Sequence, residues 1–218
     1  MEFLRIVLIV IGGAAVVIIL TAIISAFYNY QRNRERKRNK QSTPRKELES
    51  FLKDNVFKRN VFTSLYYPVL AEGTVRTHHR QRIDEVVVTN AGILILTVFD
   101  KLGRIDNSKD DVWVVIHDDD RKEIESPLSV AEKCRSAIHS IMKRSGYGKV
   151  PIYSTVVIMN DETIPLAGND DLIFMSELEK LLYDMKRTSV LSKIEQFYIS
   201  RILKNAGMTK EKIRKNKL

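Results

Sequence analysis

Residues 83–105 read IDEVVVTNAGILILTVFDKLGRI, and this stretch decides the fold. Two nearly continuous runs of Val, Ile and Leu, within 82–89 and 93–99, lie on either side of the turn-forming tripeptide Asn90-Ala91-Gly92. Strands that are buried on both faces have this composition, whereas a half-exposed strand alternates apolar and polar residues. The stretch therefore predicts a β-hairpin at the centre of a buried sheet.

Further elements on both sides of the hairpin extend this prediction to an α/β domain with one mixed sheet flanked by helices. Apolar residues at helical spacing predict helices, and short apolar runs between turn signals predict strands. Turns are expected at 72–74 and 118–120. Helices are predicted over 45–56, 127–143, 176–186 and 190–205, and extended segments over 61–70, 112–117, 151–159 and 172–174.

Charge is distributed unevenly along the 218 residues. The formal net charge of +9 divides into 0 for 1–30, +7 for 31–46, −4 for 47–200 and +6 for 201–218. A mildly acidic domain between two basic ends gives no reason to assign nucleic-acid binding to the surface of the domain itself. The single cysteine excludes a disulfide scaffold and a multi-cysteine zinc site.

An uncharged run of 22 residues extends from Ile6 to Phe27. As a helix it would measure about 33 Å at about 1.5 Å per residue, which is enough to span a bilayer core. A cleaved signal peptide has a shorter apolar region that ends in small residues, whereas this run continues into the basic segment 31–46. We therefore predict a retained single-pass helix in the cell membrane, with the N-terminus outside and the following residues in the cytoplasm.

Together these features predict four segments: a transmembrane anchor (1–30), a basic juxtamembrane linker (31–44), an α/β domain (45–206) and a basic tail (207–218). Topology and attraction to anionic lipid head groups, about 1 kcal/mol per basic residue near the surface, explain the charge of 31–46. Nucleic-acid binding is the alternative for this segment, but aromatic residues are not interleaved with its basic ones.

Asp84 is the strongest candidate for chemistry. An acid next to so apolar a strand is unfavourable unless it is paired, bound to a metal or placed at the end of the sheet. Metal-dependent nucleases place such an aspartate on one central strand and a Glu-x-Lys pair on the next. The two carboxylates hold a divalent ion, and the lysine polarises the attacking water or the phosphate. The alternation of a strand puts that Glu and Lys on the same face.

The hairpin resembles the nuclease-related domain (NERD) family, which reads like Ile-Asp-His-Val-Val-Val, a turn, Gly-Ile-Phe-Val-Ile-Glu-x-Lys-Asn and then Gly-x-Ile. The similarity continues through Trp113, Ser126-Pro127-Leu128 and 156–159 into the closing helices, and so covers about 46–205. The resemblance implies a restriction-endonuclease-like fold, a mixed sheet flanked by helices. A transmembrane span ahead of such a domain is also common in this family.

The resemblance does not carry the activity with it. Asp84 matches the aspartate of the family, but Thr97 and Phe99 occupy the positions of its Glu and Lys. Glu85 stands where a His is usual, and Val130 replaces a Gln in the helix after the proline. One carboxylate without the lysine makes a poor phosphodiesterase site. Asp84 is therefore interpreted as a remnant of the catalytic set and the one candidate metal ligand, and no cofactor is expected.

A rearranged site is the alternative, and it would depend on Mg²⁺ or Mn²⁺. Asp100 follows the second strand of the hairpin, but it points to the opposite face from Thr97 unless a bulge re-aims it. Glu47 or Glu49 on the first helix is the other candidate for a second carboxylate.

The remaining reactive residue types have simpler interpretations. His78-His79 belong to a polar loop, and adjacent positions on a strand face opposite ways. His117 with Asp118–Asp120 reads as a strand end and an acidic turn. Cys134 falls on the apolar face of its helix and Trp113 in a strand, so both are predicted to belong to the core.

These inferences favour a membrane-anchored, cytoplasmic, catalytically degenerate domain that acts as a binding or adaptor module. A protein partner is expected no less than DNA or RNA, because phosphate contacts need clustered Lys and Arg and the domain carries −4. The alternative function is a divalent-metal-dependent nuclease with an active site rearranged around Asp84.

Overall fold

The computed structural model describes residues 44–69, 80–117 and 120–215. Pro44–Leu218 form a compact unit of their own. The predicted transmembrane span, most of the basic linker, the turn at 72–74 and the pair His78-His79 lie outside the described residues. Within the described ranges no helix combines the length and the apolar character needed to cross a bilayer.

The described chain contains helices and strands in the alternating order that the sequence predicts. Short 3-10 turns at Lys58–Asn60 and Met175–Glu177 precede β1 and α3. The elements are α1 (Pro44–Asn55), β1 (Val61–Pro68), β2 (Arg80–Val88), β3 (Ile93–Phe99), β4 (Arg104–Asp106), β5 (Val112–His117), β6 (Asp120–Glu125), α2 (Pro127–Arg144), β7 (Ile152–Ile158), β8 (Ile164–Pro165), β9 (Leu172–Phe174), α3 (Leu178–Arg187), α4 (Lys193–Ala206) and α5 (Lys210–Lys215).

The larger sheet has the strand order β1-β2-β3-β7-β9, and the predicted hairpin forms its centre. β1, β2 and β3 pair antiparallel, whereas β7 pairs parallel to β3 and β9 parallel to β7. Val88 pairs with Ile93, and Gly92 adopts a φ of +147° in the turn between them. A Cβ on Gly92 would lie 2.3 Å from the carbonyl oxygen of Pro151, so the turn requires glycine.

A second, smaller mixed sheet has the order β6-β5-β4-β8, and the prediction of one sheet missed it. β4 and β8 have only three and two residues, too few to show a period. β6 reads DRKEIE and is almost entirely exposed, so its strand conformation comes from pairing with β5 and not from apolar alternation. Asp120, predicted in a turn, is the first residue of β6 and pairs with His117.

The larger sheet is covered by helices on both faces, which confirms a mixed α/β fold flanked by helices. A first cluster joins β2 and β3 to α2 and α4, and a second joins the opposite face of the hairpin to α1 and α3. A third cluster joins β3 and β7 to the smaller sheet and α2. The first cluster includes Val86, Ile95, Ile138 and Leu203. The second includes Leu48, Val87, Leu96 and Leu182. The third includes Phe99, Ile105, Trp113 and Ile158.

The closing helices start later than predicted. Met175–Glu177 form the 3-10 turn before α3, and Ser192 caps α4 by accepting a hydrogen bond from the Glu195 backbone N–H. Beyond α4, Met208 forms an antiparallel bridge with Tyr66 of β1. The Tyr66 backbone N–H donates to the Met208 carbonyl oxygen, with 2.9 Å between nitrogen and oxygen. The first residues of the predicted basic tail therefore fold onto the domain and lead into α5.

Candidate functional site

The candidate site lies where the β2–β3 ladder ends. The regular pairing stops at Glu85 and Leu96, so Asp84 and Thr97 are the next two residues across the hairpin. Residues opposite each other in an antiparallel pair project from the same face. The Val98 backbone N–H donates to Asp84 Oδ2 at 3.1 Å. The Asp84 carboxylate therefore supplies a hydrogen-bond acceptor at the point where main-chain pairing between the two strands ends.

The neighbouring strand is also irregular at this level. In β1, Thr63 pairs with Glu85 and Leu65 with Ile83, but Ser64 between them has a φ of +49°. This left-handed conformation is uncommon for a residue with a side chain, and such outliers concentrate at functional sites. Both flanks of Asp84 thus depart from regular sheet geometry.

Two arginines surround the Asp84 carboxylate. Arg45 Nη2 of α1 lies 3.1 Å from Oδ1, and Arg82 Nη2 of β2 lies 3.7 Å from the same oxygen. The Asp84 side chain is only 12% exposed, whereas both arginine side chains reach solvent. Because guanidinium groups stay protonated, the immediate surroundings of this carboxylate carry a net positive charge.

Phe99, which the resemblance aligns with the family's lysine, is buried. Its ring centroid lies 5.9 Å from that of Trp113 at an interplanar angle of 63°, an edge-to-face contact. Both rings belong to the third cluster, between the two sheets. Thr97, at the glutamate position, is buried as well. These two positions of the family's catalytic set therefore contribute a hydroxyl and a packing contact.

Glu85, next to Asp84, lies in a different environment. It is 1% exposed, and no hydrogen bond of normal geometry reaches either carboxylate oxygen. Burial raises the pKa of Glu85 to about 8; the Thr63 hydroxyl, close to the carboxylate but not in good hydrogen-bond geometry, opposes the rise, and the charges of Glu49 and Asp84 add to it. At neutral pH the Glu85 carboxyl is mostly protonated. It is a poor ligand for a cation in that state.

The alternative carboxylates do not assemble a metal site with Asp84. Asp100 is exposed, and its Oδ1 lies 3.9 Å from Nζ of Lys101. Glu49 pairs with Lys53 one turn along α1, and Glu47 is exposed on the same helix. In the ranges that the structure describes, no group of three or more His, Cys, Asp or Glu side chains could hold a metal ion.

The donors that are present do not fit the divalent ion that the fold family implies. The Asp84 carboxylate is already engaged by Arg45 and Arg82. Hard cations such as Mg²⁺ prefer several oxygen donors with negative charge. A threonine and a phenylalanine on β3 add no charge, so the site does not supply the ligands of a catalytic metal centre.

The other residues that the sequence singled out lie apart from the site or in the core. Cys134 is buried in α2, where burial raises the pKa of the thiol to about 12 and Sγ donates to the Arg82 carbonyl at 3.6 Å. Trp113 is fully buried, and Val130 packs beside the first cluster. The core assignments of Cys134 and Trp113 are confirmed, whereas Asp118 and Asp119 lie outside the described residues.

Neither arginine at Asp84 was predicted from the sequence. Arg82 stands two residues before Asp84 on the same strand, a spacing at which side chains share a face, and this signal was available. Arg45 was counted with the basic segment 31–46, although it is the second residue of α1. Its pairing with a strand 39 positions later depends on how α1 packs on the sheet, which residue spacing alone does not show.

The fold and this site define a class: an α/β domain in which a central hairpin presents an aspartate opposite a threonine at the end of its ladder. The model of the family described as "Nuclease-related domain" (NERD) matches residues 31–159, more than half of the chain. The chain belongs to the NERD family. No curated protein and no solved structure matches it. The matched range ends after β7, so α3 and α4, which the resemblance was expected to include, lie beyond it.

Proposed function

We propose that this NERD domain has lost phosphodiester hydrolysis and acts as a membrane-tethered binding or adaptor module. The observation that carries the proposal is the packing of Phe99 against Trp113 at the position of the catalytic lysine. The larger sheet with helices on both faces supports the restriction-endonuclease-like fold that the resemblance implies. The domain thus keeps the architecture of the family without its charged groups.

The chemistry of hydrolysis explains why these replacements matter. Metal-assisted hydrolysis needs ligands that hold the ion, and a charged group that stabilises the developing negative charge on the phosphate. Asp84 is engaged by Arg45 and Arg82, Thr97 is uncharged, and Phe99 is apolar. The side chains at these positions therefore supply neither the second ligand nor the lysine.

A cleavage assay tests this proposal. Residues 44–218 and the Asp84→Ala variant are incubated with plasmid, linear DNA and RNA in Mg²⁺ or Mn²⁺, with Asp110→Ala, an exposed acid away from the hairpin, as the matched control. We expect no cleavage above background for any of the three proteins, and no heat in a metal titration. Cleavage by the parent and Asp110→Ala that is absent in Asp84→Ala would instead establish the rearranged nuclease.

The partner of the module is a protein or a nucleic acid under this proposal. Binding of 44–218 to DNA that weakens with salt and persists after deletion of 207–218 would favour nucleic acid. A pull-down with the full chain that recovers one protein in stoichiometric amount, together with undetectable DNA and RNA binding, would favour an adaptor.

The proposal places the domain in the cytoplasm, anchored by Ile6–Phe27, with 31–46 near anionic lipid head groups. The uncharged run and the excess of basic residues after it support this arrangement. Alkaline carbonate should leave the full chain in the membrane pellet, and protease added outside cells should leave a tag at residue 218 intact. Release by carbonate would contradict the anchor, and loss of the tag would contradict the cytoplasmic location.

A further inference from the structure

Helix α4 presents apolar side chains to solvent as well as to the core. Its inner side contains Ile199 and Leu203, which are buried. On the outer side Ile194 is 69% exposed, and Phe197 and Tyr198 are about half exposed. A surface helix normally has a polar outer face, so three large apolar residues there indicate a surface that something covers.

Basic residues share this outer side. At about 100° per residue, Arg201 lies between Ile194 and Phe197 on the surface of α4, and Lys204 lies beside Phe197. The one acidic residue of α4, Glu195, is on the other side of Ile194, where its carboxylate accepts hydrogen bonds from the Ser192 backbone N–H at 2.8 Å and the Ser192 hydroxyl at 2.7 Å. The part of the outer face around Phe197, Arg201 and Lys204 is therefore basic and apolar at once.

The 3-10 turn before β1 extends the same surface. Phe57 is 70% exposed, and the Arg59 guanidinium lies 5.7 Å from the centroid of its ring. A groove of about 440 Å³ separates this turn from α4, and Lys58, Arg59, Phe197, Arg201 and Lys204 line it without any acidic residue. We name the surface the α4 basic face and define it by Phe57, Arg59, Ile194, Phe197, Arg201 and Lys204.

Hydrogen bonds hold the two parts of this face together. The Ser200 hydroxyl of α4 donates to Asn60 Oδ1 at 3.1 Å, and Asn60 Nδ2 donates to the Val88 carbonyl at 3.2 Å. Asn60 and Ser200 are both buried. The turn, α4 and β2 are thus fixed to each other, and the face is preformed.

We propose that the α4 basic face docks on an anionic bilayer surface. Exposed Phe and Ile side chains enter the boundary between head groups and acyl chains, while neighbouring Lys and Arg contact lipid phosphates. The positive charge of the face is complementary to anionic lipid head groups, which supports a bilayer as the partner. Four basic residues, Lys58, Arg59, Arg201 and Lys204, line the groove without an acid, although the segment 47–200 as a whole carries −4.

Two other kinds of partner fit the face less well. Lysine is depleted at protein–protein interfaces, yet Lys58 and Lys204 both line the groove of this face. Single-stranded nucleic acid needs free aromatic faces on which bases stack. Here the Arg59 guanidinium already lies over the Phe57 ring, and the most exposed of the large apolar residues on α4 is the aliphatic Ile194.

This inference goes beyond the proposed function and does not rest on the anchor or on the loss of catalysis. It is tested on residues 44–218, which form a compact unit and contain all three core clusters. The probes are phosphatidylcholine vesicles with and without phosphatidylserine, and the measurement is co-sedimentation. We expect binding only to the phosphatidylserine vesicles, and weaker binding at high salt.

Two pairs of substitutions test the two components of the face. Each basic contact with the membrane contributes about fivefold in affinity, so Arg201→Glu with Lys204→Glu should weaken vesicle binding by at least about 25-fold. The double substitution Phe57→Ser and Ile194→Ser leaves the net charge unchanged but removes apolar side chains, and it should also weaken vesicle binding. All four side chains are exposed, so the thermal unfolding midpoint should stay close to that of the parent.

The matched control is Lys149→Glu with Lys180→Glu, two exposed lysines outside the face that give the same change in net charge. The control should bind vesicles nearly as well as the parent. Equal loss in the control and in the Arg201/Lys204 pair would overturn the proposal, because attraction would then follow net charge alone. Failure of the parent to bind would also overturn it, as would DNA or RNA binding that exceeds vesicle binding and depends on the same pair.

Discussion

The two ends of the β2–β3 hairpin, the turn end at 88–93 and the open end at Asp84 and Thr97, differ in the interactions that join the two strands. At the turn end, Val86, Val87 and Val88 pair regularly with β3, and apolar clusters cover both faces. At the open end the ladder stops, and an aspartate side chain bonds the next strand instead. The comparison teaches that the turn end depends on main-chain pairing and on apolar packing against both faces, whereas at the open end individual side chains replace the ladder.

The largest expected effect on stability comes from placing a lysine, the residue typical of the family, at Phe99 near the open end. Phe99→Lys removes an edge-to-face contact and buries an ammonium group between two sheets, so we expect a loss of roughly 4 kcal/mol in the free energy of unfolding. Urea denaturation of 44–218 measures it. Asp100→Lys, at the exposed neighbour, is the control and should change stability by less than about 0.5 kcal/mol. A Phe99→Lys loss no larger than that of the control would show that the open end tolerates the lysine.

The next effect tests the turn end. Gly92→Ala places a Cβ 2.3 Å from the Pro151 carbonyl oxygen at a backbone φ of +147°, so a loss of about 3 kcal/mol is expected. Gly168→Ala provides the control, because a Cβ there meets nothing within 4 Å. Thermal or urea unfolding of both variants checks the result. Similar stabilities for the two would mean that the turn end does not depend on its glycine.

A pH dependence separates the two carboxylates at the open end. The pKa of Glu85 is about 8 in the folded domain against 4.5 ordinarily, so the folded state binds more protons between those values, and stability falls as pH rises through that window. Glu85→Gln should flatten this fall and stabilise the domain at pH 8, where the carboxyl of the parent is about half ionised. Glu123→Gln on exposed β6 should keep the slope of the parent. An unchanged slope in Glu85→Gln would place the titrating group elsewhere.

The smallest effect concerns Asp84 itself. Asp84→Ala removes the acceptor of the Val98 N–H and the partner of Arg45, and we expect a loss of about 1 kcal/mol because both arginines reach solvent. A double-mutant cycle with Arg45→Gln should give a coupling of about 0.5 kcal/mol that shrinks at high salt. Zero coupling would assign the role of Asp84 to the Val98 bond alone.

Sequence patterns predicted the hairpin, β5, β7 and the four longer helices, because each has a strong apolar period or run. They did not predict the smaller sheet, since β6 is polar and its conformation depends on the neighbouring strand. At the site, the motif identified Asp84, Thr97 and Phe99. The arginine partners required tertiary packing, and the protonated state of Glu85 required knowledge of its burial.

The contact between Phe99 and Trp113 bears on the history that remains open to this protein. The third cluster joins the two sheets through the position that the resemblance aligns with the family's lysine. If the domain has lost hydrolysis, as proposed, a single substitution that restored the lysine would weaken the packing between the sheets before Thr97 could become an acid. Recovery would then need several coordinated changes, a route that selection acting one step at a time disfavours.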